Sequence, residues 1–182
     1  MEAVLLSPLV QTLTRKEIGM NQAARIVVVA TLSVGFCSSA LAQGLVTQKN
    51  LSLAMARTIA DGALEECKKQ GFNTAVAVLD RAGQVLVLMR DEAASPVTLE
   101  MARRKAYTAK MFRSSTLDWA KRTADPALAP QRNLADVLAL GGGVPIMVGN
   151  DAIGAVASSG SSQERDDACA RAGIAKVADL LK

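Results

Sequence analysis

Apolar residues recur at four-residue spacing from Leu51 through Met55, Ile59, Ala63 and Cys67, the period that lays one stripe along an α-helix. Ser52 stands where an N-cap belongs, and Gly71 follows Lys68-Lys69-Gln70 where a C-cap belongs, so the pattern predicts an amphipathic helix from Ser52 to Gln70. The period then shortens. Thr74 to Asp80 and Val85 to Met89 are rich in β-formers and flank Arg81-Ala82-Gly83-Gln84, which reads as an antiparallel hairpin. Both runs are largely apolar, so both faces of this hairpin should be covered.

Helical periodicity returns after Ser95, an expected cap with Pro96 at the first helical position, and Met101, Lys105, Thr108, Ala109 and Phe112 fall along one side. Ser115 with Asp118 three residues on predicts a short further helix, and Asp125 to Pro130 reads as a loop. A brief strand is expected around Val137 to Leu140. Gly141-Gly142-Gly143 leads into Val144 to Val148, Gly149-Asn150-Asp151 turns, and Ala152 to Ala157 returns as a second hairpin. Ser161 with Glu164 forms a capping box for a last helix reaching about Leu181. The order is α-β-β-α-(α)-β-β-β-α. Both hairpin connections are too short for a parallel crossover, so the fold class is α+β, a sheet of about five antiparallel strands flanked by helices.

The N-terminal region follows another pattern. Arg25 precedes the apolar stretch Ile26 to Phe36, and Ala40-Leu41-Ala42 supplies the small residues a signal peptidase needs before Gln43. Residues 20–42 are therefore expected to be a secretory signal, and 43–182 a single domain that is periplasmic or secreted and not inserted in a membrane after cleavage. Residues 1–19 carry their own polar stretch, Arg15-Lys16-Glu17, so Met20 is the expected start and an extended leader the alternative.

Lys and Arg total 21 against 17 acids, with one Trp, one Tyr and three Phe. This is neither the charge nor the stacking surface of a nucleic-acid binder. Cys67 and Cys169 lie beyond the cleavage position. An oxidising compartment permits them to pair, and separate burial as two small apolar residues accounts for them equally well.

Four stretches, in this order, resemble the GlcG-like family, which includes HbpS-type extracellular haem-binding proteins and a domain of PduO-type proteins. They are Ala77-Val78-Leu79-Asp80-Arg81-Ala82-Gly83, Ala102 to Ala109, Gly141-Gly142-Gly143-Val144-Pro145-Ile146, and Ile153-Gly154-Ala155-Val156 through Ser159-Gly160 to Asp166. The resemblance implies the same sheet-and-helix fold, assembly into a homo-oligomer, and a small-molecule ligand, with haem or another tetrapyrrole first among them and haem degradation among the family's activities.

The chain contains no histidine, which excludes His-ligated haem, His-ligated zinc and a Ser-His-Asp triad. Haem would then need a Met, a Cys, Tyr107 or Thr108 at the iron, or a cleft without a strong protein ligand. Gly141, Gly142 and Gly143 could present backbone N–H groups to a carboxylate, or simply turn the chain into a strand. The densest basic stretch, Arg103 to Arg122, reads mostly as solvated surface. Lys105 is the exception, because it shares a side with Met101 and Phe112, where an ammonium needs an anionic partner: Asp166, or a ligand's carboxylate. Asp166 by itself is explained by the dipole of the last helix. The methionines fit core filling better than soft-metal ligation, and no dedicated metal site is expected.

Overall fold

The computed structural model describes residues 44–182; the expected signal segment and the stretch ahead of it lie outside the described residues. From Thr47 onward the chain forms one compact unit. Its elements are α1 (Leu53–Lys69), β1 (Ala75–Leu79), β2 (Val85–Arg90), α2 (Val97–Phe112), α3 (Thr116–Arg122), a 3-10 turn (Ala129–Asn133), β3 (Gly143–Val148), β4 (Asp151–Ser159), α4 (Gln163–Ala175) and a closing 3-10 turn (Ala178–Leu180).

The sheet has four strands, in the order β2-β1-β4-β3, every neighbour antiparallel. The α+β class stands, and the count of about five strands is corrected. Residues 137–140 form no strand because their backbone is satisfied by α2: Arg104 Nη2 donates to the Val137 carbonyl at 2.6 Å, and the Leu138 N–H donates to Thr108 Oγ1 at 2.9 Å.

The alternation of Ala75-Val76-Ala77-Val78 in β1 decides how the layers stack. Val76 and Val78 join Ile59, Ala63, Val156, Ile146 and Ala170 in a core beneath α1 and α4. Ala75, Ala77, Ala155 and Ala157 turn the other way and meet Ala102, Ala106 and Ala109 of α2. Branched side chains fill the two-helix face, and a floor of methyl groups lets the single helix approach closely. All five β1 residues are buried, as its unbroken apolar run implies.

Where α1 crosses α4, a Cβ at Gly173 would strike the Ile59 carbonyl and fall 3.1 Å from the Ala63 Cβ. Cys67 and Cys169 are joined beside this crossing, with Cα atoms 5.5 Å apart.

Element ends differ from expectation in three places. The cap of α4 is Ser162, whose hydroxyl accepts from the Arg165 N–H, because Ser161 is engaged by Asp166. That helix stops at Ala175, not near Leu181, where Val177 leaves helical geometry (φ −123°) and turns into the core. Before α2, Ser95 caps through its carbonyl, accepting from the Thr98 N–H and hydroxyl, and Pro96 takes the cap position.

Candidate functional site

Lys105 comes from the middle of α2 and Asp166 from the first turn of α4, and the end of β4 between them brings the two together. Their Nζ and Oδ2 atoms are 2.9 Å apart, with side chains 3% and 2% exposed. Lys105 also donates to the Ser158 carbonyl at 3.2 Å, and the other carboxylate oxygen of Asp166 accepts from the Ser161 hydroxyl (2.7 Å) and N–H (3.1 Å). The pair is buried, neutral overall and hydrogen-bonded at both carboxylate oxygens, the condition under which ionised groups survive removal from water. It forms the floor of a cleft of about 250 Å³ walled by Thr98, Met101, Leu140, Ser159 and Gln163.

The glycine run lies against this pair, and the N–H groups of Gly141 and Gly143 face the protein. Gly141 N–H donates to Gln163 Oε1 at 2.7 Å and Gly143 N–H to Thr116 Oγ1 at 2.8 Å, while the Gly142 carbonyl accepts from Ser158 N–H. Of the two readings of Gly141, Gly142 and Gly143, an anion nest or a turn into a strand, these bonds favour the turn. These residues are glycines because of what they touch. Gly142 has φ +120°, and a Cβ on it would fall 2.7 Å from Asp166 Cβ and 3.0 Å from Lys105 Nζ. A Cβ at Gly143 would run into the Lys105 carbonyl. Gly143→Ala is expected to cost about 1–3 kcal/mol by forcing β3 away from α2, measurable as a lowered urea midpoint at unchanged slope.

Thr108 is fully buried, its hydroxyl donating to the Arg104 carbonyl at 2.9 Å and accepting from Leu138 N–H. Both capacities are spent in holding the 137–140 segment, so the structure does not offer this oxygen to a ligand. Tyr107, one residue earlier, points elsewhere: its ring packs on the alanine floor and lies 3.6 Å from where a Gly83 Cβ would stand. Tyr107 and Lys105 thus belong to different places on α2.

The end of α2 near Tyr107 is rich in cations. Lys110 lies one turn after Tyr107, Arg113 follows in the left-handed conformation (φ 51°), and Arg81 sits on the β1–β2 turn paired to Asp151. Burial, foremost, and then the charges of Arg113 and Arg81 hold the Lys110 ammonium below its usual range. Neither Lys110 nor Arg113 is in an ion pair among the described residues. From the sequence, Lys110 and Arg113 belong to a stretch that reads mostly as solvated surface. The corner's only linear signal is the tyrosine with a lysine three residues on, and Arg81 arrives from another element.

Comparison with known proteins follows the fold closely. The family model described as haem degrading protein HbpS-like matches residues 51–175. Protein GlcG of Escherichia coli K12 is 33% identical over 118 residues, 62% of this chain and 84% of that protein. The crystal structure of a double mutant of HbpS from Streptomyces reticuli aligns with a TM-score of 0.70 at 34% identity, over 74% of this chain and 92% of that one. A PduOC:haem complex aligns with a TM-score of 0.64 at 26% identity, over 69% and 94%.

Proposed function

Because the chain belongs to the HbpS-like family, we propose that it is an extracytoplasmic haem-binding protein. The observation that carries this reading is the shared fold of the PduOC:haem complex, at 26% identity over most of both chains. The signal-like segment from Met20 to Ala42 supports export, and the family supports homo-oligomeric assembly.

Haem has to be held here without histidine, and the structure narrows how. Lys105 is already neutralised by Asp166, the Gly141 and Gly143 N–H groups are spent, and so is the Thr108 hydroxyl. What fits is the cation-rich end of α2. Tyr107 is half-buried and its hydroxyl has no hydrogen-bond partner among the described residues. A phenolate oxygen is a known ligand for ferric haem. Lys110 and Arg113 are the groups for the propionates, and an anion beside them would offset the repulsion that Lys110 now feels. The bound haem would supply an iron centre; Tyr107, Lys110 and Arg113 would position it.

Haemin is expected to raise the melting temperature in a saturable way, by mass action on the folded state. Tyr107→Phe is expected to weaken binding by about tenfold, the scale of one lost ligand interaction, and to alter the visible spectrum of what still binds. A Tyr107→Phe variant that keeps the wild-type spectrum would reassign the ligand. A second reading, a small-carboxylate binder, draws on the cleft above Lys105 and Asp166. It predicts stabilisation by two- to four-carbon carboxylates and none by haemin, so the same melting experiment separates the two. A blank screen with both classes would favour a non-enzymatic accessory or sensing role.

A further inference from the structure

Ser159 closes β4, directly opposite Ala75 of β1 in the strand register, so its side chain turns to the α2 face of the sheet. It is 1% exposed, yet its hydroxyl has no hydrogen-bond partner among the described residues. Ser158 beside it is engaged through hydroxyl, N–H and carbonyl. A buried hydroxyl without a partner is costly to keep. This one lines the cleft of about 250 Å³ over Lys105 and Asp166.

The other polar groups of the cleft are mainly donors. An ammonium has three N–H groups, and Lys105 spends two, on Asp166 and the Ser158 carbonyl. Gln163 accepts from Gly141 through Oε1, and its amide nitrogen has no partner among the described residues. Thr98 donates its hydroxyl to the Ser95 carbonyl and keeps only lone pairs to offer. Met101 and Leu140 supply apolar wall. These donors come without net charge, because Asp166 answers the ammonium at 2.9 Å. An entering carboxylate would set a second anion beside Asp166 and give up its water with no unpaired cation to meet it. A carbonyl oxygen accepts from the same groups at a much smaller desolvation cost.

We propose that this cleft is a ligand site separate from the Tyr107 corner and that it binds a small uncharged carbonyl compound, a ketone or a primary amide. Lys105 and Ser159 receive the carbonyl oxygen, and Met101 and Leu140 hold the alkyl part. The volume admits about eight water-sized groups, so the ligand has only a few carbons. The cleft is the one used by the carboxylate reading, the ligand differs in charge, and neither depends on haem.

Calorimetric titration with butanone, propanamide and propanoate, three probes of nearly equal size, tests the site. Butanone and propanamide are expected to bind saturably, and at least about tenfold more tightly than propanoate. Ser159→Ala extends the alanine floor and breaks no existing hydrogen bond. It is expected to weaken propanamide binding about three- to tenfold and to leave haemin affinity unchanged. Met101→Trp, which fills the cleft, is expected to abolish propanamide binding, with circular dichroism confirming the fold. Propanoate binding as tightly as propanamide overturns the proposal. So does the lack of saturable binding by either uncharged probe at high millimolar concentration, or a Ser159→Ala protein of wild-type affinity. Haemin binding without carbonyl binding removes this site alone, and carbonyl binding without haemin binding removes the haem reading alone.

Discussion

Lys105→Ala is expected to lower folding stability by about 3–5 kcal/mol, the cost of leaving one member of a buried ion pair without the other. Asp166 would then sit 1% exposed with only Ser161 to hold it. The Ser158 carbonyl would lose its ammonium donor, and the contact between α2 and α4 would lose its polar tie. The double variant Lys105→Met/Asp166→Leu is expected to recover much of that loss, because apolar groups of similar volume avoid the desolvation cost altogether. Urea unfolding of the three proteins measures this directly. A loss below about 1 kcal/mol for Lys105→Ala would mean that water reaches the pair.

Removing the Cys67–Cys169 bond is the second large effect. The bond closes a loop of 102 residues, and both cysteines are fully buried. In the chain-entropy account a loop of that size is worth about 4–5 kcal/mol, and native disulfides of small domains typically contribute about 2–5. The Cys67→Ala/Cys169→Ala protein is expected to melt roughly 10 °C lower. Cys67 Sγ also lies 3.5 Å from Ser158 Oγ, and the carbonyl of that serine accepts from Lys105. The two perturbations share a neighbour, so combining them should give less than their sum. Strict additivity would show that the disulfide and the ion pair act independently.

Local pattern carried much of this architecture. The four-residue period of α1, the two hairpins and the short α3 are each written in a few adjacent residues, and the alternation in β1 shows which side chains face which layer. Lys105 was legible for a physical reason: an ammonium on the apolar side of a helix must find an anion, and of the two partners named, Asp166 or a ligand's carboxylate, Asp166 holds it here. The glycine run kept two readings in the sequence because its Gly141 and Gly143 N–H groups are answered by Gln163 and Thr116, from two helices that only folding brings near. The extra strand at 137–140 failed for the same reason, since Arg104 and Thr108 satisfy its backbone before a strand can. Ser161 looked like the cap of α4 until Asp166 claimed it. In the first two cases the deciding partner lies beyond the reach of a periodicity window, whereas Asp166 stands only five residues from Ser161.

Ligand chemistry was the least legible level. The absence of histidine removes the commonest iron ligand, and the corner formed by Tyr107, Lys110, Arg113 and Arg81 assembles from α2 and a distant turn. The measurement that tests the central claim most directly is an absorption titration of haemin into the purified protein. Saturable growth of a Soret band distinct from free haemin, at micromolar protein and with a spectrum that changes in Tyr107→Phe, is the predicted result. A spectrum that remains that of free haemin throughout, with circular dichroism showing folded protein, would contradict it.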